Sequence, residues 1–302
     1  MTVQDTAAPS PAERVSTPVD GVEVLGALSP SRAGDFLTCP LLYRYRTIDK
    51  LPEPYSVDAV RGTVVHRVLE NLFDLPAVDR TPEQARGLLM PAWDELLDAE
   101  PGVAEMFGTE GPDVAAWLAS CRVVLDRYFS LEDPQRIEPA ERELYVEALL
   151  DSKLLLRGFV DRLDIAPDGA IRVVDYKTGR SPTEGFEAKA LFQMRFYAVV
   201  IWRTRGVVPA VLQLVYLGNG EILRYEPDED DLLATERKVE AVWEAIRHAR
   251  ETQDWRARRN RLCDWCAHQA ICPEWGGTPP PLPAVDAVVA DPPPGPDAPV
   301  LG

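Results

Sequence analysis

No run of 18 or more apolar residues occurs in the 302-residue chain, so a membrane-spanning helix of ordinary length is not expected. The N-terminus lacks a basic segment followed by an apolar one, so no secretory leader is expected; the chain is placed in the cytoplasm, with no membrane partner. A Gly-x4-Gly-Lys-Ser/Thr phosphate loop is also missing, and any ATP-driven unwinding must come from another chain. Positive charge is scarce. Lys and Arg number 32 against 49 Asp and Glu, a net charge of −17, which argues against a general polyanion binder but leaves room for a local basic path. Arg247, Arg250, Arg256, Arg258, Arg259 and Arg261 are either such a path or a solvated helix end. Cysteine is sparse and odd in number, five in all. In a reducing compartment that argues against a disulfide framework and for metal binding by a subset.

The most informative stretch runs from Gly158 to Gly179. Two β-branched and apolar runs, Leu154 to Ile165 and Ala170 to Lys177, flank Pro167-Asp168-Gly169, which is turn chemistry. A three-residue loop with Gly169 left-handed pairs Ala166 with Ala170, and that register sets Asp161 directly opposite Asp175. Lys177 shares their face, which is otherwise apolar (Phe159, Leu163, Ile165, Ile171, Val173). Carboxylates roughly 5 Å apart repel by about 3 kcal/mol at an effective dielectric near 20. A cation should compensate. Lys177 is one candidate and a divalent metal another, because Mg²⁺ and Mn²⁺ take hard oxygen ligands and keep positions for phosphate and water. A slipped register would instead leave the charges solvated.

Elsewhere the chain reads as helices and strands around this hairpin. Residues 1–25 lack periodicity and are expected to be disordered, as is the Pro-rich acidic tail 276–302. Ser29-Pro30 caps a first helix that Pro40 should interrupt just after Cys39. A second helix, Val57 to Phe73, carries a stripe of Val64, Val65, Val68, Leu69 and Leu72 with His66 at its edge. Two amphipathic helices are expected within 80–130, where Cys121 reads as a small buried hydrophobe. Glu141 to Glu147 alternates as a strand, in which Glu143 reads as a solvated residue. A helix over Glu187 to Thr204 puts Gln193 and Tyr197 on one face. Val207 to Leu217, a Gly218-Asn-Gly220 turn, Glu221 to Tyr225 and a helix over Asp228 to Thr252 complete a mixed sheet covered by helices. Then comes Cys263-x2-Cys266-x5-Cys272, three thiolates on one loop. A fourth ligand is either His268, as in zinc sites, or Cys39, as in iron-sulfur sites.

The set Gly158-Phe-Val-Asp161-Arg, Val174-Asp175-Tyr-Lys177-Thr-Gly179, Gly62-x3-His66 and Gln193-x3-Tyr197 resembles the PD-(D/E)XK nuclease superfamily. It is most similar to RecB-like exonucleases of the AddB type and to CRISPR-associated adaptation nucleases. The resemblance implies a restriction-endonuclease-like α/β core spanning 26–275, with a helical insertion at 80–130 and a Cys-rich region at 255–275. It implies a metal-dependent exonuclease on DNA, single-stranded ends by preference, in repair or recombination. The alternatives are trimming of CRISPR spacer precursors beside an integrase, and a DNA-binding accessory subunit of a helicase-nuclease. His66, Asp161, Asp175 and the Tyr176 carbonyl are then the ligands of Mg²⁺ or Mn²⁺, with Lys177 orienting the attacking water and Gln193 and Tyr197 lining the DNA path. Cys39, Cys263, Cys266 and Cys272 are then the ligands of a [4Fe-4S] cluster, with zinc the lesser alternative.

Overall fold

The computed structural model describes residues 24–108, 111–182 and 187–283. Most of the expected disorder, at 1–25 and 276–302, lies outside these residues. Six strands form one mixed sheet: β1 (Gly26–Leu28), β2 (Glu141–Leu149), β3 (Leu154–Ile165), β4 (Ile171–Lys177), β5 (Val211–Tyr216) and β6 (Glu221–Tyr225). The order is β1-β3-β4-β5-β6, with β2 along the other side of β3. β1 and β4 share one edge of β3, at opposite ends: β1 pairs with Leu154–Leu156 and β4 with Arg162–Ile165. Among the described residues no strand lies beside the stretch between them on that edge, and the site forms there.

Helices cover both faces of the sheet, as the expected α/β class requires. On one face α1 (Pro30–Thr38), α7 (Glu187–Arg205) and α8 (Glu229–Thr252) pack with Leu163, Val173, Leu212 and Leu214. On the other, α3 (Val57–Leu72), α4 (Pro82–Gly87), α5 (Leu89–Ala99) and α6 (Val114–Leu131) enclose Val174, Tyr176, Val215 and Leu217. Cys121 is fully buried there, and burial pushes its thiol up to about 11. α1 starts where expected, with the Ser29 hydroxyl capping Arg32 N and Pro30 in the first turn. Pro40 does end it. The chain restarts as a short α2 (Pro40–Tyr43) and a π-helical turn over Arg44–Ile48, leaving Cys39 extended (φ −161°) between two helices.

The hairpin register follows the expected rule, but only in part. Gly169 is left-handed (φ 88°), Ala166 and Ala170 pair, and Ile165↔Ile171 through Arg162↔Val174 follow. The ladder then ends one pair short of Asp161 and Asp175. Beyond it the strands part: β4 continues against β5 (Asp175↔Leu214, Lys177↔Tyr216) while β3 continues against β2. The expected face-to-face pairing of the two aspartates is therefore not made. Asp161 Oδ2 instead accepts the Tyr176 N–H at 2.7 Å, so a side chain takes the place of a ladder carbonyl.

Candidate active site

The fork between β3 and β4 lets both helical layers reach one point. From α3, His66 Nε2 donates to the Tyr176 carbonyl at 2.9 Å, and Nδ1 lies 3.6 Å from Asp161 Oδ2. From α7, Gln193 Nε2 donates to Asp175 Oδ1 at 3.1 Å, and its Oε1 accepts from Lys177 Nζ at 3.0 Å. Lys177 Nζ also lies 2.9 Å from Asp175 Oδ2. That contact is an ion pair rather than a hydrogen bond: Oδ2 is buried and accepts none. An unfilled buried acceptor beside a second carboxylate is a donor set that suits a hard cation.

Glu143 corrects the sequence reading. It is half-buried rather than solvated, and its carboxylate, a ring nitrogen of His66 and an Asp161 oxygen all lie within 4.8 Å of one another. The cause is a break in β2. Arg142 pairs with Arg162 and Leu144 with Val160, but Glu143 between them adopts φ 42° and makes no ladder pair. For a residue with a Cβ, that backbone costs roughly 1–2 kcal/mol, and such outliers gather at functional sites. Strand alternation does not reveal the break. The one legible signal was the acidic residue itself, 18 positions before Asp161.

Tyr197 is placed differently from an open DNA path. It is 7% exposed, and its hydroxyl sits 3.3 Å from Gln193 Nε2, so it supports Gln193 from beneath. Its ring fills the gap beside β3, where Gly158 leaves room: a Cβ there would fall 2.7 Å from the Tyr197 ring. Gly158→Ala should displace Tyr197 and destabilise by about 1–3 kcal/mol, with a fall in hydrolysis. Thermal denaturation and a rate measurement check both. A wild-type melting point would show that the ring is not held there.

The acids crowd one another. Burial, and then Asp161, Glu70 and Asp175, push Glu143 up to about 9, against a smaller opposing effect of Arg67. Burial raises Asp175 to about 6 despite Lys177. Lys177 loses hydration by burial, yet Asp175 and Asp161 outweigh that and hold its ammonium above the ordinary lysine value. Lys177 is therefore a cation at working pH and not a base.

A sign follows for stability. Both acids are raised in the folded state, so their contribution is full below the ordinary carboxylate range and is lost as pH rises through about 6 and then about 9. A divalent ion bound by these carboxylates must displace their protons. Adding Mn²⁺ should therefore raise the melting temperature more at pH 8.5 than at pH 6, and Glu143→Gln should shrink that difference. An equal shift at both pH values would show that the ion binds elsewhere.

Four of the five cysteines border one cavity. Cys39, Cys263, Cys266 and Cys272 line one cavity with Tyr45, and backbone amides of Arg258 and Asn260 approach the sulfurs of Cys39 and Cys263 at 3.3 Å each. His268, the alternative fourth ligand, is committed elsewhere. It is buried, meets the Tyr45 ring edge-on and bonds Glu53 through Nε2 at 2.7 Å, and that bond leads the effects that hold Glu53 down at about 2. Of the C-terminal arginines, Arg247 pairs with Glu244 and Glu251, Arg256 with Asp254, and Arg258 binds the Leu37 carbonyl. At least these three act within the protein.

Among the described residues, no helix is long and apolar enough to cross a membrane. A sheet that splits beside two acids and a lysine, reached by helices from both faces, is the arrangement of a nuclease core. Residues 27–273 match the PD-(D/E)XK nuclease superfamily, and the chain belongs to it. It is 27% identical over 203 residues to the Gene 69 protein of Mycobacterium phage D29, covering 59% of this chain and 70% of that protein. A candidate exonuclease from Eubacterium rectale, of known crystal structure, shares the fold with a TM-score of 0.54 at 15% identity, over 80% of this chain and 87% of that one.

Proposed function

We propose that this nuclease is a Mg²⁺- or Mn²⁺-dependent deoxyribonuclease that degrades DNA from ends, single-stranded by preference, in repair or recombination. One observation carries the reading: His66, Glu143 and Asp161 converge within 4.8 Å beside the Asp175–Lys177–Gln193 contacts. His66, Glu143, Asp161, Asp175 and the Tyr176 carbonyl would hold the ion. When bound, the ion supplies Lewis-acid stabilisation of the phosphodiester and lowers the pKa of water. The chain's own residues do the positioning. Lys177 sets a positive charge where negative charge develops on phosphate oxygens, Gln193 holds Lys177 and Asp175 in register, and Tyr197 holds Gln193. Action from DNA ends is supported by the exonuclease assignment of the E. rectale protein.

The second group is a [4Fe-4S] cluster on Cys39, Cys263, Cys266 and Cys272. The shared cavity and the commitment of His268 to Glu53 support it over zinc.

The experiment follows end-labelled linear and circular single-stranded DNA with Mn²⁺, Mg²⁺ or EDTA, using wild type and Asp175→Ala. Shortening of linear DNA alone, dependent on metal and absent in the variant, is the expected result. Cutting of circular DNA makes the enzyme an endonuclease, and no cutting by cluster-loaded wild type overturns the reading.

A further inference from the structure

Tyr176 stands between Asp175 and Lys177 at the proposed metal site, and its main chain touches two of the other proposed ligands. Its N–H donates to Asp161 at 2.7 Å and its carbonyl accepts from His66 at 2.9 Å. Its side chain leaves on the opposite face of the sheet, 4% exposed. There its hydroxyl meets the guanidinium of Arg162, and the guanidinium also lies over the Tyr176 ring at 5.5 Å.

Arg162 follows Asp161 and is fully buried. Both of its terminal nitrogens bond Glu132, at 2.8 and 2.9 Å, and Nε bonds Asp164 at 3.1 Å. Glu132 caps the end of α6 and accepts from Gln213 on β5 at 2.8 Å; Gln213 in turn accepts from Arg224 on β6 at 2.9 Å. Asp164 is shared with Arg172 on β4. Burial alone would raise Glu132, but its bonds to Arg162 and Gln213 keep it below the ordinary carboxylate range, and so ionised.

Such a network is a poor investment in stability alone. Desolvating the ions offsets much of their attraction, and apolar side chains of equal volume often do as well. What a satisfied, directional network does provide is a single geometry. Here that geometry is passed to the main chain of β3 and β4 at the point where the ladder between them has ended and no strand pairing holds Asp161 opposite Tyr176.

We propose that Arg162 and Glu132 are positioning residues for the metal site: the pair grips the Tyr176 side chain from the far face and thereby sets the Tyr176 carbonyl and amide, with Asp161 and Asp175, in their metal-binding arrangement. α6, part of the helical layer before the hairpin, thus becomes a structural support of the catalytic centre. The inference rests on the metal-nuclease reading above.

The test compares Tyr176→Phe, which removes only the hydroxyl, Glu132→Gln, which keeps shape but not charge, and the double variant. Mn²⁺ affinity is read by direct titration of the folded protein, with kcat and KM for single-stranded DNA alongside. Expected are an apparent Mn²⁺ dissociation constant weakened about tenfold in each single variant, on the scale seen when groups behind metal ligands are removed. A double variant should be no worse than the singles, because both act through one contact, and kcat should fall while KM holds. Variants that melt earlier but bind Mn²⁺ like wild type would overturn the proposal, as would fully additive losses. Titration does not depend on hydrolysis. Weakened Mn²⁺ binding together with a wild type that cuts no DNA would uphold this inference and sink the nuclease activity instead.

Discussion

Lys177→Ala is expected to lower the hydrolytic rate about a thousandfold while the protein still folds and still binds divalent metal. The rate loss is that of removing a preorganised charge from where phosphate charge develops, at the upper end of what one such donor contributes. Retention of metal follows from the contacts. Lys177 Nζ now shares Asp175 with Gln193, at 3.2 Å from Oδ1 and 2.9 Å from Oδ2, and thus competes with any cation for that carboxylate. Without it Asp175 keeps the Gln193 bond, and its proton becomes harder to lose. Folding survives because the buried acid can stay neutral at moderate pH, and metal affinity at pH 8 is equal or higher. The checks are Mn²⁺ titration, thermal denaturation and the rate on labelled single-stranded DNA. Loss of metal binding in this variant would move Lys177 from transition-state stabilisation to assembly of the site, and wild-type hydrolysis would remove it from the mechanism.

Cys39→Ala is expected to release the proposed cluster and lower the melting temperature by about 10 °C. Joining Cys39 to Cys263 closes a loop of more than 220 residues, for which loop entropy suggests about 5 kcal/mol, although that account of cross-links is disputed. The structure reduces the share the cluster must contribute. The same two segments are already tied by Asn260 Nδ2 to the Thr38 carbonyl (3.2 Å), Arg258 to the Leu37 carbonyl (2.8 Å), Tyr45 to the Ile271 carbonyl (3.0 Å) and His268 to Glu53 (2.7 Å). A loss of about 3 kcal/mol remains, and each kilocalorie is worth roughly 2–4 °C in a domain of 150–250 residues. Iron and sulfide content, with calorimetry on the same sample, decide it. Full iron content in the variant would assign the fourth ligand elsewhere; zinc in place of iron in wild type would replace the cluster.

Much of this site was legible from local chemistry. Pro167-Asp168-Gly169 is turn chemistry, and a three-residue loop with a left-handed glycine sets a register in which Asp161, Asp175 and Lys177 share one end of one face. The order of chemical residues along the chain, from Cys39 and His66 through the hairpin to Gln193 and the three late cysteines, was enough to point to the superfamily that residues 27–273 match. These features depend on neighbours within a few residues, where backbone geometry leaves few choices.

Tertiary structure decided the rest. Whether the β3–β4 ladder runs on to Asp161 depends on competition: β5 takes the far side of Asp175 to Lys177, β2 takes β3, and opposed carboxylates resist pairing. Glu143 looked like one more alternating strand residue. Only the left-handed backbone at that position, held by strand pairs on either side, turns its carboxylate inward. Tyr197 was read as lining the DNA path because helical spacing gives the face but not what covers it; α7 lies against Gly158, and that contact buries the ring. The buried Arg162–Glu132 pair joins residues 30 apart in sequence and left no pattern to read, since its meaning arises only where the end of α6 meets the underside of the forked sheet.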